Sequence, residues 1–221
     1  MLKGIIFDVD GTLVNSNDAH ADSWVETFSD AGYNVPFDVV RPLIGMGGDK
    51  LLPKTIGIES DSDEGKRLSA NRWKLFEKKY LPTLRPLEGS RALVQRIRND
   101  GLATVIATSA RKEELYVLLR AAEVADLMEE EATASDAESS KPDPDIVQAA
   151  VKKSGFHRRE LAMIGDTPYD VEAAVRAGVQ IIAFRSGGWL DEKLAGAIAI
   201  YDGPADLLAN YETSIIGMNR G

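Results

Sequence analysis

The sequence predicts an α/β protein, a doubly wound parallel sheet interrupted early by a helical insertion, and three observations carry that prediction. Short apolar runs recur without the alternation of a half-solvated strand, so each reads as a strand buried on both faces. From about residue 85 onward, segments of helical spacing separate these runs, and such alternation argues for parallel strands joined by right-handed crossovers. Between residues 15 and 82 the alternation fails: helical spacing is present but no apolar strand run is.

Taken in order, the first run is Gly4-Ile5-Ile6-Phe7. The insertion follows, with Trp24, Phe28 and Ala31 and then Leu68, Leu75 and Phe76 spaced as helix faces. Pro82 and Pro86 disfavour a helix at its far end and suit a stiff hinge. We therefore expect a core of residues 1–14 and 83–221 and a helical insertion of residues 15–82. Further strands are expected at Leu102 to Ala107, Leu161 to Ile164, Val179 to Phe184 and, more weakly, Ala197 to Tyr201. Helices are expected around Leu93/Ile97, Leu115/Leu118/Leu119, Ile146/Ala149/Ala150 and Val171/Ala174/Val175, with Gly101 and Gly178 as stops. Glu129 to Glu131 and Asp136 to Ser140 read as an acidic, solvated loop.

With 221 residues, 44% hydrophobic and 28% charged, the chain can bury a sizeable core and is not a disordered one. The balance of 26 basic and 35 acidic residues leaves a formal charge of −9, which argues against nucleic-acid and anionic-membrane partners. Having no cysteine excludes disulfides, thiolate metal sites and a Cys nucleophile. No run approaches the ~18 apolar residues of a membrane span, and Gly4 to Phe7 is too short for a signal-peptide core, so a cytoplasmic protein is expected.

The chemistry is concentrated at strand ends, where open α/β sheets bind their ligands. Asp8-Val9-Asp10-Gly11-Thr12 ends the first strand, and residues two apart on a strand share a face, so Asp8 and Asp10 start out together. Two close carboxylates repel unless a cation or shared proton relieves them, and magnesium is the natural cation of an all-oxygen site. Thr108-Ser109-Ala110-Arg111 offers hydroxyls and backbone N–H groups suited to a phosphate. Lys141 is held extended by Pro142, with Asp143 and Pro144 expected as the cap and first residue of a helix. Gly165-Asp166-Thr167-Pro168-Tyr169-Asp170 adds two acids past another strand; helix capping alone would also account for Asp170. A carboxylate nucleophile, a proton donor, a metal and fixed cations are what phosphoryl transfer requires.

These four segments, DVDGT, the Thr108 stretch, Lys141 before Pro-Asp-Pro, and GDTPYD, resemble in order the four motifs of the haloacid dehalogenase superfamily. The resemblance covers the whole chain and implies a Rossmann-like core with residues 15–82 as its helical cap. It implies Asp8 as nucleophile, Asp10 as general acid/base, Thr108 as phosphate ligand, and Lys141 as the cation steadying nucleophile and phosphate. It further implies magnesium bound by Asp8, Asp166 and the backbone carbonyl of Asp10, with Asp170 in support. The segments at Leu194 to Ala197 and Asp202 to Leu207 look like phosphoglycolate-phosphatase-type members.

The expected activity is a magnesium-dependent phosphatase acting on a small phosphorylated metabolite, as a monomer or weak homodimer. Asp10 argues against the namesake dehalogenases, which lack that acid and need no metal. A β-phosphoglucomutase-like phosphomutase is the main alternative: His20 and Trp24 stand where such enzymes carry a cap histidine and tryptophan, but Gly48 replaces their phosphate-binding arginine. Met46-Gly47-Gly48-Asp49-Lys50 resembles the lysine loop of phosphonoacetaldehyde hydrolases, which lack an acid at the position of Asp10. A non-enzymatic phosphoaspartate switch is disfavoured because Asp10 can activate water. His20, Lys50, Thr108 and Ser109 are the expected substrate-binding residues. Packing would equally explain His20, and a solvated helix start would explain Lys50.

Overall fold

A computed structural model describes residues 1–219, which divide into two compact units, one of Ser16–Leu84 and one of Met1–Asn15 with the chain from Arg85 onward. The first unit is helical: α1 (Asn17–Asp30), α2 (Phe37–Val40), α3 (Gly48–Ile56) and α4 (Asp63–Leu75). Their apolar faces meet around Trp24, Phe28, Val40, Leu51, Leu52 and Leu68, all buried. Ser62 caps α4 by accepting a hydrogen bond from the Gly65 N–H, which satisfies a donor that the first turn leaves orphaned. Helical structure continues past α4 through Phe76–Tyr80 and a short 3-10 turn at Leu81–Thr83, so Pro82 does not exclude helix. It stands in the first turn, where a missing N–H interrupts no bond.

The second unit holds a six-stranded, all-parallel sheet in the order β3-β2-β1-β4-β5-β6. Its strands are β1 (Gly4–Phe7), β2 (Ala103–Ala107), β3 (Glu130–Ala132), β4 (Leu161–Gly165), β5 (Gln180–Phe184) and β6 (Ala199–Tyr201). The flanking helices are α5 (Ser90–Asn99), α6 (Lys112–Ala121), α7 (Asp145–Ser154), α8 (Pro168–Ala177) and α9 (Pro204–Ala209). Ile6, Val105, Met163 and Ile181 of the strands pack with Ile146 and Val147 of α7 and Val171 and Ala174 of α8 in one buried cluster.

Two further expectations are corrected. The acidic stretch is not all loop, because Glu130–Ala132 forms the edge strand β3, with Glu130 and Glu131 exposed and Ala132 buried. Charged side chains on an edge strand hinder pairing with other chains, so polarity there is compatible with sheet. Helix α7 begins at Asp145 with Pro144 in the cap position, one residue later than expected. Among the described residues no helix is long and apolar enough to cross a membrane.

Strand order fixes where a site can form. β1 lies between β2 and β4, and the chain proceeds outward to β3 on one side and to β6 on the other. The carboxyl ends of β1 and β4 therefore border the topological switch point, the crevice in which such sheets bind ligands.

Candidate active site

The Asp8 N–H donates to the Ile164 carbonyl at 2.9 Å, continuing the β1–β4 ladder one residue past the strand. The chain then doubles back, with the Thr12, Leu13 and Val14 N–H groups all directed at the Val9 carbonyl. Gly11 makes this possible at a φ of 75°, a conformation that strains residues with a side chain. The tight loop turns Thr12 inward, and its hydroxyl lies 3.2 Å from Asp8 Oδ2 and 3.1 Å from Asp166 Oδ1.

Asp166 and Asp170 come from the turn between β4 and α8. Thr167 caps α8: its hydroxyl accepts from the Asp170 N–H and donates to Asp170 Oδ2 at 2.6 Å, while the Thr167 N–H donates to the same oxygen. Asp170 is thus a capping residue, and one of its oxygens also faces the site, because Lys141 Nζ stands 2.7 Å from Oδ1. The same ammonium donates to Asp8 Oδ1 at 2.5 Å. Lys141 is only 1% exposed.

Carboxylate oxygens of Asp8, Asp166 and Asp170 lie within 4.8 Å of one another, all three residues buried. One ammonium cannot balance them. Burial pushes the Asp8 carboxyl up to about 7 despite the attraction of Lys141, and the charges of Asp170 and Asp10 add to the rise. Burial by itself would lower Lys141, but Asp170 and Asp8 outweigh it and hold the amine above its ordinary value. A buried, all-oxygen donor set with excess negative charge fits a hard divalent cation such as magnesium.

The expected residues are distributed unevenly. Asp8, Lys141, Asp166 and Asp170 come together, and half-buried Asp10 adds its charge to Asp8. Register sets Phe7 beside Ile106, so Thr108 stands at the exit of the adjoining strand. The Thr108 hydroxyl accepts from the Ala110 N–H at 3.1 Å, and among the described residues the buried Ser109 Oγ has no hydrogen-bond partner. His20 and Lys50 belong to the helical unit. The His20 ring stacks on Phe76 at 4.2 Å, and Arg72 Nη2 lies 2.5 Å from its Nδ1. Lys50 is in the first turn of α3.

Thr12 and Thr167 were not among the expected site residues. Thr167 was detectable as a capping box, Thr-x-x-Asp before an apolar helix face. Nothing local marks the Thr12 contact, since Asp166 is 154 residues away.

The chain matches the model of haloacid dehalogenase-like hydrolases over residues 5–184. It is 28% identical over 193 residues to a candidate pyrophosphatase PpaX of Caldanaerobacter subterraneus subsp. tengcongensis, covering 83% of this chain and 82% of that one. It is 28% identical over 220 residues to the phosphoglycolate phosphatase of Rhodospirillum rubrum, covering 94% and 90%. The solved structure of a hydrolase from Pseudomonas syringae is similar with a TM-score of 0.87 at 30% identity, covering 96% of this chain and 98% of that one.

Proposed function

The chain belongs to the haloacid dehalogenase-like hydrolases, and from that premise we propose that this phosphatase is magnesium-dependent and hydrolyses a small phosphorylated metabolite through a phosphoaspartyl intermediate on Asp8. The observation that carries the reading is the Asp8 carboxylate itself. It is buried at the switch point, bound by Lys141 on one oxygen and grouped with Asp166 and Asp170.

Asp8 attacks phosphorus with a carboxylate oxygen, and the bond from phosphorus to the ester oxygen breaks. Asp10 gives its proton to that oxygen, so the alcohol leaves neutral. Ionised Asp10 then takes a proton from water, whose oxygen attacks phosphorus. The acyl–phosphate bond breaks, Asp8 returns as a carboxylate and inorganic phosphate departs. Lys141 holds the nucleophile and offsets phosphoryl charge, and the Thr108 and Ser109 hydroxyls donate to phosphoryl oxygens. Asp8, Asp166 and the Asp10 carbonyl would hold magnesium, with Asp170 beside them, and the ion supplies the positive charge that this carboxylate cluster and a phosphoryl group both lack.

In this reading the helical segment is a cap that selects the substrate, with His20 and Lys50 contributing, and the enzyme acts in the cytoplasm as a monomer or weak homodimer. The names of the relatives support a small phosphorylated substrate. The test is a panel of p-nitrophenyl phosphate, phosphoglycolate, pyrophosphate and glucose 1-phosphate, each with and without magnesium. Magnesium-dependent release of many equivalents of phosphate per protein is expected. Conversion of glucose 1-phosphate to glucose 6-phosphate instead would make the protein a phosphomutase, and a single equivalent retained on Asp8 would make it a switch.

A further inference from the structure

Beyond β5 the chain makes a short 3-10 turn, Arg185–Gly187, which takes no part in the proposed mechanism. Arg185 clamps it from outside: Nε and Nη2 reach the two carboxylate oxygens of Asp191 at 2.7 and 2.8 Å, and Nη1 reaches Asp202 at 2.7 Å. Its inner residues face two parts of the candidate site. The Ser186 hydroxyl donates to the Gly11 carbonyl at 2.6 Å, bridging residues 175 apart. A Cβ on Gly187 would fall 2.2 Å from the Asp166 carbonyl oxygen and 2.5 Å from Asp166 Oδ2, so the turn packs its bare backbone against that acid. The Gly11 carbonyl belongs to the peptide between Gly11 and Thr12. Asp10 precedes it, and Thr12, with its hydroxyl near Asp8 and Asp166, follows it.

We propose that Ser186 is a positioning residue for the reaction: by holding the Gly11 carbonyl against a clamped turn, it fixes the direction in which the loop presents Asp10 to the leaving-group oxygen. The inference rests on the phosphatase reading of the site and extends it to a residue that touches no reacting atom. Its signature differs from that of a merely structural hydrogen bond. A misdirected Asp10 impairs protonation of the leaving group, which matters for an alkoxide and little for p-nitrophenolate. Loosening the fold would impair both alike.

The test compares Ser186→Ala and Ser186→Thr with the wild type on phosphoglycolate and p-nitrophenyl phosphate. The parameter is kcat/KM, which covers the steps through leaving-group departure. Loss of one neutral hydrogen bond predicts a fall of about tenfold for phosphoglycolate in Ser186→Ala. The fall for p-nitrophenyl phosphate should stay below about twofold, with an unchanged melting temperature and recovery in Ser186→Thr. Equal losses on both esters, or no loss on either, would overturn the positioning role while leaving an active wild type and its phosphatase reading intact. A wild type that releases phosphate from no substrate of the four-compound panel would overturn both.

Discussion

Lys141 and Asp170 form an ion pair at 2.7 Å with both side chains 1% exposed, and the same ammonium reaches Asp8 at 2.5 Å. Removing one partner of a buried pair leaves charge uncompensated, typically at ~3–5 kcal/mol. Lys141→Ala should therefore lower metal-free stability by about that much, because Asp8 and Asp170 would then face each other with no cation. Denaturant unfolding with and without magnesium checks this. The deficit should shrink when the ion is present, and a variant as stable as the wild type without metal would contradict the charge argument.

Asp8→Asn should abolish turnover with the fold intact, since the amide is nearly isosteric but is not a nucleophile. It should also change how stability depends on pH. The folded-state pKa of Asp8 is raised to about 7 from 3.8 by burial, so the folded state binds the proton more tightly than the unfolded state does. The stability gained from this is fully present below the unfolded value and is lost as pH rises through the folded one. Metal-free wild type should thus lose of order a few kcal/mol relative to Asp8→Asn between about pH 4 and pH 7. Parallel stability–pH curves for the two proteins would refute the assignment.

The parts of fold and site that could be read from the sequence are those written in local pattern. Ile5-Ile6-Phe7 and Ile181-Ile182-Ala183-Phe184 are buried on both faces and therefore uniformly apolar, so their strands stand out. Strand β3 did not, because three residues at a sheet edge need bury only Ala132. Asp8 and Asp166 were identifiable because each directly follows an apolar strand run with a turn glycine close by, Gly11 and Gly165, and Lys141 because Pro142 follows it. Thr12 and Ser186 act through partners 154 and 175 residues away, which no local spacing encodes.

Metal removal should silence the enzyme, with magnesium restoring activity and calcium doing so poorly, because its larger, looser shell disturbs in-line geometry. An independent readout is available: magnesium should raise the melting temperature of the wild type and do so much less for Asp166→Ala, which lacks a carboxylate of the cluster. Full activity after exhaustive chelation would exclude the metal-dependent reading.

The last prediction concerns Lys50. It occupies the first turn of α3, next to Asp49, where the positive end of the helix disfavours a cation by ~0.3–1 kcal/mol. A lysine there is a poor choice for helix stability alone, and Gly47 and Gly48 just before it leave the backbone free of side chains. If the lysine contacts substrate, its charged hydrogen bond is worth ~1.5–3 kcal/mol, and kcat/KM of Lys50→Ala for the best substrate should fall about ten- to a hundredfold. p-Nitrophenyl phosphate, which offers such a residue little beyond the phosphoryl group, should be cleaved nearly as before. Equal losses on both substrates would move Lys50 to the phosphoryl group or the fold. Unchanged kinetics would exclude a substrate contact, and borohydride trapping of an imine between Lys50 and phosphonoacetaldehyde would make its amine the nucleophile of a different reaction.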